Sequence, residues 1–519
     1  MVPRIPPPPS FRHERNFAFA KGDAGRPLRL VVDTDTVTEG EALECLRQFA
    51  HHPAVEILMP TGGPHPLIIG DYDAAQGIIP IEYTIGERRT RSAVYASDYL
   101  AIATDTAAPE EAGAARRAIT IAAAAEQVEA DALATRSAFV LEHAPRPLVR
   151  EANPVTPEGA VSLLGLYLRL RGDFTVDFDK GWGDVLGRHF SYFVLMRELL
   201  PSAWRWFSGC VAQSLATKED ELMMIAQSAM ERVDRALRAR DRMHGQLQLP
   251  PGREVAEEAI FYFDVTLLML GAAFDATARV AHGVHELPSS PRSASWANED
   301  WRTRLSAKNP ALAQLMAAGQ PARDARELIA VLRNTIHSQA LRTITFRQDS
   351  GRPEELVIVP PSIESELETL VQRQPDAPAF AIGRTPGGHL HLDPGLYVEA
   401  LFPKAVAALN AIMDATPVEE LDGVDPAKRC SALRWRRRTT TSSTRHCGGG
   451  CECWRASPSR HLERDCRAVR RQSASLEGAL AGRNRQHGAP RSSRSWRVVF
   501  TGGHRQLAKT SASLRAQAT

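Results

Sequence analysis

The spacing of apolar residues along this 519-residue chain changes once, near residue 156, and that change limits the folds open to it. Before it, short β-type runs alternate with helical ones. Leu28 to Val32 (LRLVV) is followed by Glu39 to Phe49, with helical spacing at Ala42, Leu43, Leu46 and Phe49, and then by Val55 to Met59. His65 to Ile85 carries branched residues punctuated by Gly70, Gly77 and Pro80, which reads as strands or a hairpin. Ala108 to Ala130 is Ala-rich and helical, and Ala132 to Leu141 reads as one further strand. This alternation predicts an α/β unit over 28–150 built on a small parallel sheet.

After the change the period is mainly helical. Thr156, followed by Pro157 and Glu158, predicts a capped helix running to Arg171. Long helices are expected at Glu219 to Met243 and Glu254 to Glu286, another from Asp324 to about Leu341, and two more at Pro361 to Gln372 and Pro394 to Asp414. Arg342 to Val359 turns to β-branched residues around Asp349 to Gly351. These runs predict a helical connecting region at 151–253 and a mainly α-helical bundle at 254–414. The most apolar run, Val265 to Phe274, is too short for a bilayer and lies between Asp264 and Asp275, so it reads as a buried helix and no membrane partner is expected.

The two ends differ from the body. Residues 1–27 form a Pro-rich leader, expected to be disordered. Twenty basic residues stand against four acidic ones after residue 428, which leaves the preceding body at −14 within an overall charge of +2. The tail has no sustained helical or strand period, so 415–519 reads as a linker and a basic Arg/Ser-rich tail, either disordered or the product of a frameshift. Its cysteines and histidines match no standard zinc spacing. Only Cys45 and Cys210 precede residue 429, which offers the body no disulfide framework and makes the cytoplasm the expected compartment.

Two constellations could carry chemistry. In LRLVVDTDTV, Asp33 and Asp35 stand where the first strand ends, a common location for sites in α/β proteins. This segment, with Ala130-Asp131-Ala-Leu-Ala-Thr135 downstream, resembles the Asp-Thr strand and the Ala-Asp-x-Leu-x-Thr strand of PIN-like nucleases. The resemblance implies a carboxylate cluster of Asp33, Asp35, Asp131 and a middle acid, Glu82 or else Glu87, holding Mg²⁺ or Mn²⁺ to activate water for phosphodiester cleavage. Where that family often carries another acid after the Thr, this chain has Arg136 and Ser137.

The second lies in DARELIAVLRNTIHSQAL. Leu328, Leu332 and Ile336 recur every fourth residue as a buried stripe, and Arg333 and His337, also four apart, share a face beside it. An imidazole able to take a 2′-OH proton and a guanidinium able to stabilise the charged transition state suit RNA cleavage without metal. The segment resembles the Arg-Asn…His signature of HEPN-like helical domains, although the interval between Arg333 and His337 is shorter than that family's usual one. It implies Arg333, Asn334 and His337 as catalytic residues and a homodimer through the helical unit. With the PIN-like resemblance it implies an RNA-directed protein, a ribonuclease of bacterial stress or defence type. The competing reading is a non-catalytic interaction or scaffold protein in which the same residues are structural. His282 and His285 could share a metal but lack a third ligand nearby in sequence, and Trp204, Trp206 and Phe207 read as core rather than a base-stacking platform.

Overall fold

The computed structural model describes residues 27–60, 63–73, 75–95, 112–143, 152–172, 176–178, 181–183, 192, 195–196, 198–249, 252–336, 339–347 and 353–425. The expectations for the leader and the basic tail fall outside them. The α/β part comprises β1 (Leu28–Val32), α1 (Glu41–Phe49), β2 (Val55–Met59), β3 (His65–Ile69), β4 (Ile78–Ile85), β5 (Arg88–Tyr95), α2 (Ala112–Gln127), β6 (Ala132–Ala134), α3 (Ala138–His143), β7 (Asn153–Val155) and α4 (Pro157–Arg171).

The sheet has seven strands in the order β5-β4-β3-β2-β1-β6-β7. The run from β3 to β7 is parallel, whereas β3, β4 and β5 pair antiparallel, so the sheet is mixed rather than purely parallel. The physical reason is connection length. Gly86 and Glu87 alone join β4 to β5, Gly86 takes φ 59, and so short a turn can only return the chain antiparallel. The expected strand from Ala132 to Leu141 stops at Ala134, because the Ser137 hydroxyl accepts from the Val140 amide and starts α3.

β1 is buried on both faces, which explains its unbroken apolar run. Leu28, Leu30 and Val32 pack with Leu43 and Leu46 of α1 and Leu163 and Tyr167 of α4, while Val31 packs with Ile119 and Ala122 of α2. Each such side chain contributes about 1.5–3 kcal/mol. α4 starts and stops as its sequence dictates: Thr156 accepts from the Gly159 amide, Pro157 opens the first turn, and Gly172 at φ 83 ends it in the left-handed region.

After the short pair β8 (Val176–Phe178) and β9 (Gly181–Gly183), the chain is mostly helical: α5 (Pro201–Thr217), α6 (Glu221–Leu247), α7 (Arg253–Val284), α8 (Glu299–Lys308), α9 (Pro310–Leu315), α10 (Pro321–Thr335), α11 (Glu364–Gln372) and α12 (Pro394–Ala415). β10 (Arg342–Arg347), β11 (Pro353–Ile358), β12 (Ile382–Arg384) and β13 (Leu390–Leu392) add an antiparallel sheet in the order β10-β11-β13-β12. One core joins Met230 and Val233 of α6, Phe263 and Phe274 of α7, Leu328 and Leu332 of α10, and Val398 and Leu409 of α12.

The expected division at residue 254 cuts through this core, because Trp206 and Cys210 of α5 and the apolar face of α6 belong to it. α4 belongs instead to the sheet. Cys210 is buried and free. α7, and α12 taken with the residues up to Glu420, are each long and apolar enough to cross a membrane by length and composition, their most apolar 18-residue windows having mean hydropathies of 1.6 and 1.3. α7 extends its apolar run well beyond Val265 to Phe274, and about half of its most apolar window is buried among the other helices.

Candidate functional site

The carboxylates expected to share a divalent ion do not come together. β1 and β6 are parallel, with Leu30 beside Ala132 and Val32 beside Ala134, so Asp33 stands beside Thr135 at one end and Asp131 beside Arg29 at the other. Four residues of strand separate them, about 13 Å. Asp131 is buried, accepts from the Arg29 amide at 2.8 Å and ties two strand starts together. Asp33 is also buried. Its carboxylate accepts from the Thr36 and Thr135 hydroxyls, each at 2.7 Å, and from the Asp35 amide at 3.2 Å.

Asp35 is exposed beside this turn. Glu82 sits on β4, three strand spacings or about 14 Å from β1, and is held by Arg89 and Arg91 of β5. The proposed middle acid is therefore engaged elsewhere, and Glu87 lies in the turn beyond it. Among the described residues no group of three His, Cys, Asp or Glu is placed to hold a metal ion. The sequence motif located strand ends correctly but not which end, because a carboxylate before a strand and one after it look alike until the strands pair.

The Arg333 face has a different geometry. α10 buries Leu328 and Leu332 as expected, but it ends at Thr335 rather than near Leu341. The Thr335 hydroxyl donates to the Leu332 carbonyl at 2.6 Å, and the β-branched pair Thr335-Ile336 is a weak place to continue a helix. His337 lies outside the described residues, and with it the expectation that it shares a face with Arg333. Arg333 is part-exposed and pairs with Asp275 of α7 at 3.2 Å. It reaches there because Gly271 has no side chain: a Cβ would come within 2.9 Å of the Arg333 Cδ and Nη1.

Gly271, Asp275, Arg326, Ile329, Arg333 and the exposed Asn334 border a cleft of about 40 Å³. Across α7 a second cleft of about 260 Å³ carries Arg232 and Arg279, with Glu221 and the exposed Met224 also on its wall. Asp275 acts on both sides. Burial lowers the pKa of Arg326 and of Arg232, and in each case the Asp275 charge works against that lowering.

A third cluster was missed by reading the sequence. Asp241 of α6 accepts both Nε and Nη2 of Arg169, at 2.7 and 3.0 Å, and the Tyr192 hydroxyl at 2.8 Å. Arg240 donates two bonds to Glu399 of α12, each at 2.6 Å, and one to Asp241 at 3.2 Å; His244 Nε2 lies 2.7 Å from Glu399. Arg240, Asp241 and His244 are buried. Burial pushes the Asp241 and Glu399 carboxyls up, but the Arg169 and Arg240 guanidiniums outweigh it and hold both below the usual carboxylate range, Glu399 at about 2.

The signal was present but undervalued: the apolar stripe Ala226, Met230, Val233, Leu237 of α6 continues onto Arg240, Asp241 and His244, charges where a core face predicts apolar residues. Because Arg169 comes from α4, this network bolts the sheet to the helical core.

His282 and His285 each bond to another side chain rather than to each other. His282 Nδ1 accepts the Trp301 indole N–H at 3.2 Å, and His285 Nε2 meets the Asn309 amide at 3.3 Å. Trp206 is fully buried in the helical core, with Trp204 and Phe207 packed against it. Compared with known protein families, curated proteins and solved structures, the chain matches none of them.

Proposed function

We propose that the protein is RNA-directed and that the Arg333 face of its helical unit contacts the RNA backbone. One observation carries this reading: Arg333 and Arg326 border a small surface cleft with the exposed Asn334, and Asp275 is the carboxylate beside them. A guanidinium presents planar donors that match phosphate oxygens, and a part-exposed one beside a single anion keeps donors available. The HEPN-like resemblance of the same segment points to RNA as the polyanion and to His337 as the general base of a metal-independent ribonuclease. The PIN-like metal chemistry of Asp33, Asp35, Glu82 and Asp131 draws no support from their geometry.

The test is binding of a fluorescent single-stranded RNA to the full chain across a salt series. Arg333→Ala should weaken binding and reduce the slope of log K against log salt by about 0.7, the contribution of one phosphate contact to a single strand. Absence of RNA binding at low salt would refute the reading. Cleavage that survives EDTA and falls at least about a hundredfold in His337→Ala would extend it from binding to catalysis.

The interaction-protein reading has its own support, the buried Arg169-Asp241-Arg240-Glu399 network, which makes a rigid two-part body without offering a group to substrate. A chain that binds no RNA and still depends on this network for folding would be assigned to that class.

A further inference from the structure

We propose that Arg326, Arg333, Arg232 and Arg279 form one continuous receptor for adjacent phosphate groups, lying across α7, with Arg326 as its central guanidinium and Asp275 as its built-in competitor. The inference rests on the RNA-directed reading for the identity of the polyanion, but the phosphate chemistry stands on the cluster itself.

The argument begins with charge. Arg323 pairs with Glu327, and Arg333 with Asp275, yet Arg326 between them makes no hydrogen bond or ion pair among the described residues. It is half-buried, and burial lowers its pKa, with Arg333 and Arg323 adding repulsion. Arg326 shares the cleft wall with the Asp275 carboxylate, which bonds Arg333 instead, so the Arg326 donors stay open to an incoming anion.

On the other side of α7, Arg232 spends one donor on the Ala272 carbonyl at 2.7 Å, while Arg279 is exposed and makes no hydrogen bond or ion pair among the described residues. Arg279 and Arg232 repel each other, and Asp275 relieves the strain on both sides of the helix. Four guanidiniums thus line the two clefts, with Asp275 on the wall of one and Glu221 on the wall of the other, while Glu327 and Glu231 act on Arg326 and Arg232.

Geometry then selects the ligand class. The two clefts meet at consecutive residues of α7, Asp275 lining one and Ala276 the other. Because the two clefts take their linings from neighbouring residues of one helix, a chain of phosphodiesters can pass from one to the other and engage each in turn. Met224, exposed on the wall of the second cleft, supplies an apolar surface beside the cations, which suits a single strand with unstacked bases better than a duplex. Asp275 selects against weak or singly charged anions, since a ligand must outcompete its ion pair with Arg333.

Two probes and three variants of the full chain test this. Pyrophosphate reports on the phosphate chemistry through thermal protection, and a labelled single-stranded RNA reports on the polymer through anisotropy. Arg326→Gln keeps the stem and some donors but removes the charge; it should abolish protection by pyrophosphate and weaken RNA binding about tenfold or more. Asp275→Asn should strengthen both. Arg279→Gln, on an exposed side chain that folding does not use, should weaken RNA more than pyrophosphate and serves in place of Arg326→Gln if that variant fails to fold. Pyrophosphate protection that depends on Arg326 in a chain that binds no RNA would uphold the receptor and refute the RNA reading. RNA binding that needs Arg333 but is indifferent to Arg326, Arg279 and Asp275 would uphold the RNA reading and overturn the receptor.

Discussion

The molecule carries two arginine clusters that share the long helix α6, and they are built oppositely. In the cluster of Arg169, Arg240, Asp241, Glu399 and His244, two guanidiniums meet two carboxylates in bidentate geometry, out of water. In the cluster of Arg232, Arg279, Arg326 and Arg333, at a part-exposed face, Arg333 alone of the four forms an ion pair, with Asp275, whose charge acts on Arg232 and Arg326 alongside Glu231 and Glu327. A charge removed from water must be matched by the protein itself, so balance marks a structural role. An excess left at the rim of a cleft can be matched by a ligand. Burial together with balance, rather than the presence of arginine, separates the two.

Removing the shared anion in each cluster should show the contrast most strongly. Asp241→Ala leaves Arg169 and Arg240 buried without their common partner and should cost about 3–5 kcal/mol in a denaturant titration. Asp275→Ala breaks an open pair and should cost less than about 1 kcal/mol. Equal costs would remove the distinction.

Acid should find the buried cluster as well. Asp241 and Glu399 bind fewer protons in the folded state than in the unfolded one at mildly acid pH, so their contribution is fully present above the ordinary carboxylate range and is lost as pH falls toward about 2 for Glu399. The destabilisation of Glu399→Gln, measured by thermal melts from pH 7 downward, should therefore shrink as the wild type loses its own pair. A penalty that grows in acid would contradict the balanced-cluster account.

Asp33 offers an intermediate case, a buried carboxylate satisfied by hydroxyls and an amide instead of a cation. Asp33→Ala should cost about 1–3 kcal/mol by leaving Thr36 and Thr135 without their acceptor, and neither Mg²⁺ nor EDTA should alter that cost. A melting temperature of the wild type that rises with Mg²⁺ and fails to do so in the variant would return metal to this strand end.

The smallest effect is expected at Asp264 on α7, a half-buried carboxylate whose Oδ1 has no hydrogen-bond partner. Burial raises its pKa to about 6. Its folded state holds the proton more tightly, so its penalty is absent below the unfolded value of 3.8 and complete above about 6. Asp264→Asn should raise the melting temperature modestly at pH 7 and leave it unchanged near pH 4. A gain independent of pH would show that something other than the charge is being relieved.

Local signals were reliable where they act through near neighbours. Thr156, Pro157 and Gly172 bound α4 by capping chemistry, and Leu328 with Leu332 lies buried on α10 as its spacing requires. The alternation of strand and helix before residue 156 was enough for an α/β sheet, and the helical period after it for a helical core. Partnership across the fold was not legible. Asp33 and Asp131 belong to similar short motifs, yet parallel pairing of β1 with β6 sends them to opposite ends. Arg240 and Asp241 resemble the solvated charges of any amphipathic helix until α4 and α12 bring Arg169 and Glu399 against them. Arg326 and Arg232, nearly a hundred residues apart, feel the same carboxylate only because α7 passes between their helices. Capping and periodicity depend on residues a few positions away. Charge balance depends on whichever element packing brings near, and so only the assembled structure could decide it.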